Sequence, residues 1–152
     1  MRICNLAFSL EDPDIQSLKE FEVIDFTATQ VKAIELIDFP NLKRFRACQC
    51  GQLTKCTIKG CPKLEVIDFS NSKNLAKLEI QNLPSLLTID ISMTKLSNES
   101  LDFDLPQLQT MIASFTSISC LKPNHFPNLI NLDISDTEIS DLSFLLDLKK
   151  LQ

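Results

Sequence analysis

Residues 126–139 read Phe-Pro-Asn-Leu-Ile-Asn-Leu-Asp-Ile-Ser-Asp-Thr-Glu-Ile, and this stretch decides the fold. Leucine or isoleucine occupies the first, fourth, sixth and eleventh places counted from Leu129, and all but one of the residues between them are polar. Five prolines, each with a leucine two places later, follow one another at nearly equal intervals: Pro40, Pro62, Pro84, Pro106 and Pro127. A fixed period of this length indicates one structural unit stacked on copies of itself.

The middle of each unit alternates apolar and polar residues, as in Leu132-Asp133-Ile134. Such alternation is typical of a half-buried strand, because successive side chains point to opposite faces. Two degenerate copies of the corner, with lysine in place of proline, lie at 18–21 and 148–151. We therefore predict one solenoid over residues 1–152, with an N-terminal cap or degenerate repeat at 1–20, six repeats at 21–150, and the start of a truncated seventh at 151–152.

The repeated motif, Leu-x-x-Leu-x-Leu-x-x-(Asn-like)-x-Leu, resembles the leucine-rich repeat family over six consecutive copies from about Phe21 onward. A hydroxyl or thiol replaces the family's ninth-position asparagine, at Thr29, Cys50, Ser72, Thr94, Thr116 and Thr137. We expect the hydroxyls to bond locally to the backbone. With Ile139-Ser140-Asp141-Leu142-Ser143 after Thr137, the repeat looks like the short 22-residue class of phosphatase regulatory subunits and bacterial internalins. The resemblance implies an α/β, β-rich fold, a right-handed solenoid with a parallel sheet on its concave side.

A second period, half as long, lies inside the first, because every eleventh position is apolar at Val31, Leu42, Leu53, Leu64, Leu75 and Leu86. It predicts that the return half of the early units also forms short strands, at 33–36, 56–58 and 78–80, on the convex side. The later return halves, at 97–101 and 141–146, favour a single helical or 3₁₀ turn.

Composition narrows the function. The net charge of −5 argues against binding to a nucleic-acid backbone, which needs a cationic face. No apolar run approaches the roughly 20 residues of a membrane span. The start, residues 1–12, makes a poor secretory signal. We expect a cytoplasmic protein without nucleic-acid or membrane partners, although a mature secreted chain would have lost its signal.

Four cysteines, Cys48, Cys50, Cys56 and Cys61, are dense enough to suggest zinc. Their register favours another interpretation, because three of them occupy slots that apolar or small residues fill in other units, and only Cys48 aligns with outward positions. We predict that Cys50, Cys56 and Cys61 are core residues.

Catalytic and cofactor motifs are not evident in the sequence. His125, the single histidine, precedes a corner and is expected in a loop. Gly51 and Gly60 are isolated, so no phosphate-cradling loop is predicted. We therefore predict no catalytic residues, no cofactor and no metal. Asn98-Glu99-Ser100 is a glycosylation sequon that has meaning only in a secreted chain.

The outward positions of the predicted sheet form two rows. Fifth positions are Asp25, Arg46, Asp68, Asp90, Ile112 and Asp133, and seventh positions are Thr27, Cys48, Ser70, Ser92, Ser114 and Ser135. Adjacent carboxylates about 4.8 Å apart repel each other unless a counter-charge is present. One interpretation is a solvated sheet face. The other is an acidic, hydroxyl-lined groove that binds a basic or hydrogen-bonding protein segment.

An apolar break interrupts this face, because Ile112 replaces an aspartate and the eighth positions Met93 and Phe115 project beside it. Exposed aromatic and methionine residues among polar ones are typical of interface hot spots. The predicted partner-binding residues are Arg46, Asp68, Asp90, Ser92, Met93, Ile112, Ser114, Phe115 and Asp133.

The C-terminal unit predicts an uncovered edge, because residues 148–152 start a seventh unit without a cap. Either the chain is part of a longer protein, or another copy covers the edge by self-association. The main functional expectation is a non-catalytic scaffold or adaptor that binds a protein. Residues 57–64 look like repeats of plant intracellular immune receptors, so the sensing region of such a receptor is an alternative. A substrate-recruiting subunit of a ubiquitin ligase is another.

Overall fold

The computed structural model describes residues 17–101 and 103–152, and in these residues the chain coils into a parallel-strand β-solenoid. The strands are β1 (Val23–Asp25), β2 (Ala33–Ile37), β3 (Arg44–Arg46), β4 (Lys55–Lys59), β5 (Val66–Asp68), β6 (Lys77–Gln81), β7 (Thr88–Asp90), β8 (Thr110–Ile112) and β9 (Asn131–Asp133). Across the described residues they form a six-stranded sheet in the order β1-β3-β5-β7-β8-β9 and a three-stranded sheet in the order β2-β4-β6.

The six-stranded sheet repeats in strict register. Partners in neighbouring strands are one full repeat apart, as in Val66 with Thr88 and Thr88 with Thr110. The central residue of each strand points inward, and the first five of these are at most 1% exposed: Ile24, Phe45, Ile67, Ile89 and Met111. The predicted alternation is therefore confirmed, and the residues on either side of each central position point outward.

The corners explain the even spacing of the prolines. Each proline is the second residue of a turn, and the amide two places after it bonds back to the carbonyl before it, as in Leu64 to Cys61 (3.2 Å) and Leu108 to Leu105 (3.0 Å). Proline fits this place because its φ is already fixed and it has no N–H to leave unpaired. The degenerate corner at Leu148 makes the same bond, from the amide of Leu151 (3.2 Å), with lysine in place of proline.

The return half of the coils changes along the chain. The early strands predicted from the shorter period are confirmed as β2, β4 and β6, whose apolar residues, including Cys56 and Ile58, point into the core. Later coils have 3₁₀ turns instead, at Asn98–Leu101, Pro123–His125 and Ser143–Asp147, and another lies at Leu18–Glu20. In the described residues helical structure is limited to such short turns, so the structure shows a parallel β-solenoid rather than the α/β class we predicted.

The core is one continuous apolar column between the two sides of the coil. Phe26, Phe45 and Phe69 stack edge to face along it, with ring centroids 6.1 and 5.7 Å apart. Such contacts stabilise a core beyond simple area burial. Among the described residues, no helix is long and apolar enough to cross a membrane. Most of the predicted N-terminal cap lies outside the described residues.

Gly60 occupies a left-handed corner that follows the three-stranded sheet. Asp38, Gly60 and Asn82 take the same place in successive coils there, with φ of 57°, 65° and 56°. A Cβ on Gly60 would meet the Asp38 carboxylate oxygen Oδ1 well inside van der Waals contact. Asp38 and Asn82 tolerate this conformation, so the close approach of the Asp38 carboxylate is what favours glycine at this coil, and glycine also adopts the turn without strain.

We expect Gly60→Ala to lower the free energy of unfolding by about 1–2 kcal/mol, because an L side chain is strained in the left-handed conformation and must displace Asp38. Gly51→Ala is the matched control, since nothing lies within 4 Å of its Cβ position. That variant should stay within about 0.5 kcal/mol of the parent. Urea unfolding followed by circular dichroism measures both, and equal midpoints for the two variants would contradict this account.

Candidate partner-binding surface on the six-stranded sheet

The structure brings the predicted fifth-position residues into one row. The last residues of the strands pair in register in the order Asp25, Arg46, Asp68, Asp90, Ile112 and Asp133. Asp68 and Asp90 are therefore direct neighbours on adjacent strands, and Ile112 separates Asp90 from Asp133. The row lies where the sequence predicted it. Its aspartates are not all free to bind a partner, however, because three of them also make hydrogen bonds within the chain.

Each of three aspartates closes a turn with the serine two residues later. Oδ1 of Asp68 accepts from the amide and the hydroxyl of Ser70, at 3.0 and 2.7 Å. Asp90 does the same with Ser92, at 2.9 and 2.6 Å, and Asp133 with Ser135. The aspartates thus hold the chain as it leaves the strand. One oxygen of each carboxylate is occupied in this way.

Counter-charges along the row are uneven. The Arg46 nitrogen Nε lies 3.9 Å from Oδ2 of Asp68, as the sequence suggested. Among the described residues, no lysine or arginine nitrogen lies within 4.0 Å of the Asp90 carboxylate. Asp90 is half-buried beside Asp68. Because like charges on adjacent strands repel, a cation brought to this place from outside would be stabilised.

Ser114 is placed differently from the other predicted site residues. It is only 8% exposed, so it offers little surface to a partner. Its own strand ends in Ile112, whose side chain cannot accept a hydrogen bond, and the Ser114 hydroxyl helps instead to stabilise the carboxylate of Asp133 in the next coil. Because Ile112 stands where other units have an aspartate, the Ser114 hydroxyl bonds to the next coil instead of to its own strand.

The eighth position of every unit is left-handed, which sequence reasoning missed. The residues, with φ between 52° and 60°, are Ala28, Gln49, Asn71, Met93, Phe115 and Asp136. Asparagine and aspartate adopt this conformation readily, but long and aromatic side chains do not. The signal in the sequence was the presence of Asn71 and Asp136 at the same place in two units.

Met93 and Phe115 are exposed in spite of this strained backbone, at 43% and 53% of their surface. They lie on adjacent coils, where the Met93 amide bonds to the carbonyl of Ser114 (2.9 Å). An open depression of about 300 Å³ is lined by Lys73, Met93, Thr94 and Phe115. We call Ile112, Met93 and Phe115 the apolar surface.

Three of the five ninth-position hydroxyls bond locally, as predicted, whereas Thr29 pairs with the thiol of Cys50 in the next coil (3.6 Å). Thr94, Thr116 and Thr137 each donate to the carbonyl three residues earlier, at 2.6 to 2.7 Å. Ser72 instead donates to the Ala47 carbonyl of the preceding coil (2.6 Å). These bonds satisfy backbone carbonyls inside the coil and anchor the left-handed turn that carries the apolar surface.

The early cysteines are core residues, as their register predicted. Cys50, Cys56 and Cys61 are fully buried free thiols, while Cys48 is half-buried against the hydroxyl of Thr27, with its sulfur 3.0 Å from Oγ1. Burial raises the pKa of Cys56 well above its ordinary value and raises the pKa values of Cys48 and Cys61. In the described part of the chain, no group of three or more His, Cys, Asp or Glu side chains is arranged to hold a metal ion.

Two other residues from the sequence analysis lie at corners. His125 ends a 3₁₀ turn and is half-buried. Its ring packs edge-on against that of Phe126, with ring centroids 6.1 Å apart. The Asn98 side chain accepts from the amide of Ser119 (2.8 Å) and donates to the sulfur of Cys120 (2.6 Å). Asn98 thus ties two coils together.

The last coil is the least covered part of the core. Leu132, Ile134 and Phe144 are only partly buried, and β9 is the edge of the six-stranded sheet. The amide of Gln152 bonds to the Ile130 carbonyl (2.9 Å), which continues the ladder of the earlier coils. Both predicted covers of this edge, a longer chain or a second copy, stay predictions.

Comparison with protein-family models and with curated proteins finds no match to this chain.

The Asp133 turn makes a pH-dependent prediction. The pKa of Asp133 is held below its ordinary value. The largest cause is the hydrogen bond from the Ser135 hydroxyl, and the second is the hydrogen bond from the Ser135 amide. The stabilisation is present above the ordinary aspartate pKa of about 3.9 and is lost as pH falls through the lowered value. Ser135→Ala should raise the Asp133 pKa toward the ordinary value, as measured by carbon-13 NMR titration.

Asp141 is the internal control for that titration. Its pKa is lowered first by the backbone amide of Ser143 and only then by the hydroxyl. Ser143→Ala should therefore raise the pKa of Asp141 less than Ser135→Ala raises that of Asp133. A larger rise at Asp141 would show that the two turns are not built as described.

Thiol accessibility tests the placement of the cysteines. In the native protein, Cys120 is exposed and should react with iodoacetamide, whereas Cys56 should react only after unfolding, because it is fully buried and its pKa is raised. Peptide mass spectrometry locates each label. Native labelling of Cys56 at the rate of Cys120 would contradict the core assignment.

Proposed function

We propose that the chain is a non-catalytic leucine-rich-repeat interaction module that binds a protein partner on the outward, concave face of its six-stranded sheet. The near-constant repeat length and the inward leucine and isoleucine positions support the family assignment. Ninth-position hydroxyls that bond within the coil support it further, because they take over the task of the family's asparagine.

The observation that carries the proposal is the apolar surface. A residue such as Phe115 costs on the order of 1–2 kcal/mol in a left-handed turn. A residue that is half-exposed recovers only part of this cost through burial in its own chain. Met93 and Phe115 repeat the arrangement on adjacent coils. Exposed methionine and aromatic side chains side by side are typical of residues that a partner buries.

Other features of the face agree with a binding role. Its polar residues are carboxylates and hydroxyls fixed in turns, which gives a rigid surface rather than a flexible one. The cysteines of the described residues are free thiols, which fits a reducing, cytoplasmic setting. Within the proposal, chemistry is not assigned to His125, because it lies at a corner outside the six-stranded sheet.

The test compares Met93→Asn/Phe115→Asn with Leu146→Asn. Asparagine tolerates the left-handed turn, so strain relief offsets the lost burial and stability should stay within about 1 kcal/mol of the parent. Leu146 is 76% exposed in a 3₁₀ turn outside the sheet, so its change removes exposed apolar area elsewhere.

Immobilised parent and variants are used for affinity capture, and the binding of each captured protein is then measured with purified components. We expect the double variant to bind a partner at least about 30-fold more weakly, as for the loss of a hot spot of about 2 kcal/mol. The Leu146 variant should bind as the parent does. Equal binding by all three proteins would overturn the proposal, as would equal loss in both variants. Thermal unfolding verifies that each variant is folded.

A further inference from the structure

The apolar surface lies beside the carboxylates of Asp68 and Asp90, and the two together indicate the chemistry of the partner. Resting on the function proposed above, we infer that the partner contributes an extended segment with a basic residue two positions before an apolar one. The basic side chain lies over Asp68 and Asp90, and the apolar side chain lies on the apolar surface formed by Ile112, Met93 and Phe115.

Charge selects the basic residue. Asp68 and Asp90 are register neighbours, and Ser70 and Ser92 occupy only the Oδ1 atom of each carboxylate. Oδ2 of Asp68 accepts from the Cys48 thiol (3.6 Å) and lies 3.9 Å from Arg46, whereas Asp90 has no such cation among the described residues. A lysine or arginine placed between the two carboxylates would relieve their repulsion and complete the ion pairing.

Lys73 fixes the direction of the segment. It lines the depression together with Met93 and Phe115. A partner cation is therefore disfavoured over the depression and favoured over the two aspartates. The apolar residue of the partner is therefore left for Ile112, on the side toward Phe115, whose exposed side chain follows three residues later on the same coil.

Strand spacing selects the interval between the two residues. The point midway between Asp68 and Asp90 is one and a half strand steps from Ile112, or about 7 Å across the sheet. Two residues of an extended chain advance about 6.6 Å and present their side chains on the same face. A segment that crosses the strands with the pattern basic-x-apolar therefore places its basic residue over the two carboxylates and its apolar residue over Ile112.

A random 12-residue peptide library displayed on phage tests this inference on the intact protein and on three variants. Phe115→Asn removes the aromatic anchor. Asp90→Asn removes one charge and keeps an oxygen that can accept from Ser92, so the turn is preserved. Asp104→Asn makes the same change of net charge at an exposed position outside the six-stranded sheet.

We expect basic-x-apolar peptides to be enriched on the intact protein and on the Asp104 variant, and lost on Phe115→Asn. A selected peptide, re-synthesised, should bind Asp90→Asn about fivefold more weakly, as for one partly exposed ion pair. The difference should shrink as salt is raised.

The failures are distinguishable. If apolar peptides are selected in a Phe115-dependent way, but basic residues are not enriched or Asp90→Asn binds equally well, the inference is overturned and the proposed function stands. Enrichment of acidic residues beside the apolar one would overturn it in the same way. If no selected peptide depends on Phe115, both the inference and the proposed function fall.

Discussion

The hydrogen-bond register between successive coils is the constraint on which the rest of the structure depends. A strand in a parallel sheet can satisfy its backbone groups only through the strands beside it, so every coil must start where the previous one did. The backbone hydrogen bonds just before the strands show this constant start. The Ile130 amide bonds to the Gln109 carbonyl of the preceding coil (2.8 Å), and the Gln109 amide bonds to the Leu87 carbonyl one coil earlier (2.9 Å). A slip of one residue in a strand would turn its inward side chains outward. The coil length therefore stays almost constant along the chain.

The strands of the six-stranded sheet are only three residues long, so each coil must also turn sharply straight after its strand. The turn is made by an aspartate that bonds to the serine two places later and by a left-handed residue next to it, as at Asp90, Ser92 and Met93. The acidic row is thus partly a consequence of folding. What remains for binding is chiefly the second carboxylate oxygen of Asp90 and the side chain at the left-handed position, because Oδ2 of Asp68 already lies near Cys48 and Arg46.

The period allowed much of this to be predicted from the sequence. It located the strands, the corners and the buried cysteines, because inward positions recur at fixed places and any apolar residue there must be core. The left-handed position was missed because neither Met93 nor Phe115 signals that conformation, and only Asn71 and Asp136, aligned with them, do so. The hydrogen bond of Ser114 could not be read from the local pattern, since its partner, Asp133, lies one coil later.

A residue that departs from the repeat pattern is more informative at the left-handed turn than on the outward face of a strand. An outward residue on a strand, such as Ile112, can change at little cost, because a pleated surface accepts most side chains and isoleucine favours strands. A left-handed turn is more demanding, because only asparagine, aspartate and glycine occupy it cheaply. Ala28 and Gln49 occupy the same turn in the first two coils, so what distinguishes Met93 and Phe115 is that they are large apolar side chains left exposed there. Their occurrence on adjacent coils, beside Asp68 and Asp90, is therefore the observation on which the proposed binding surface rests.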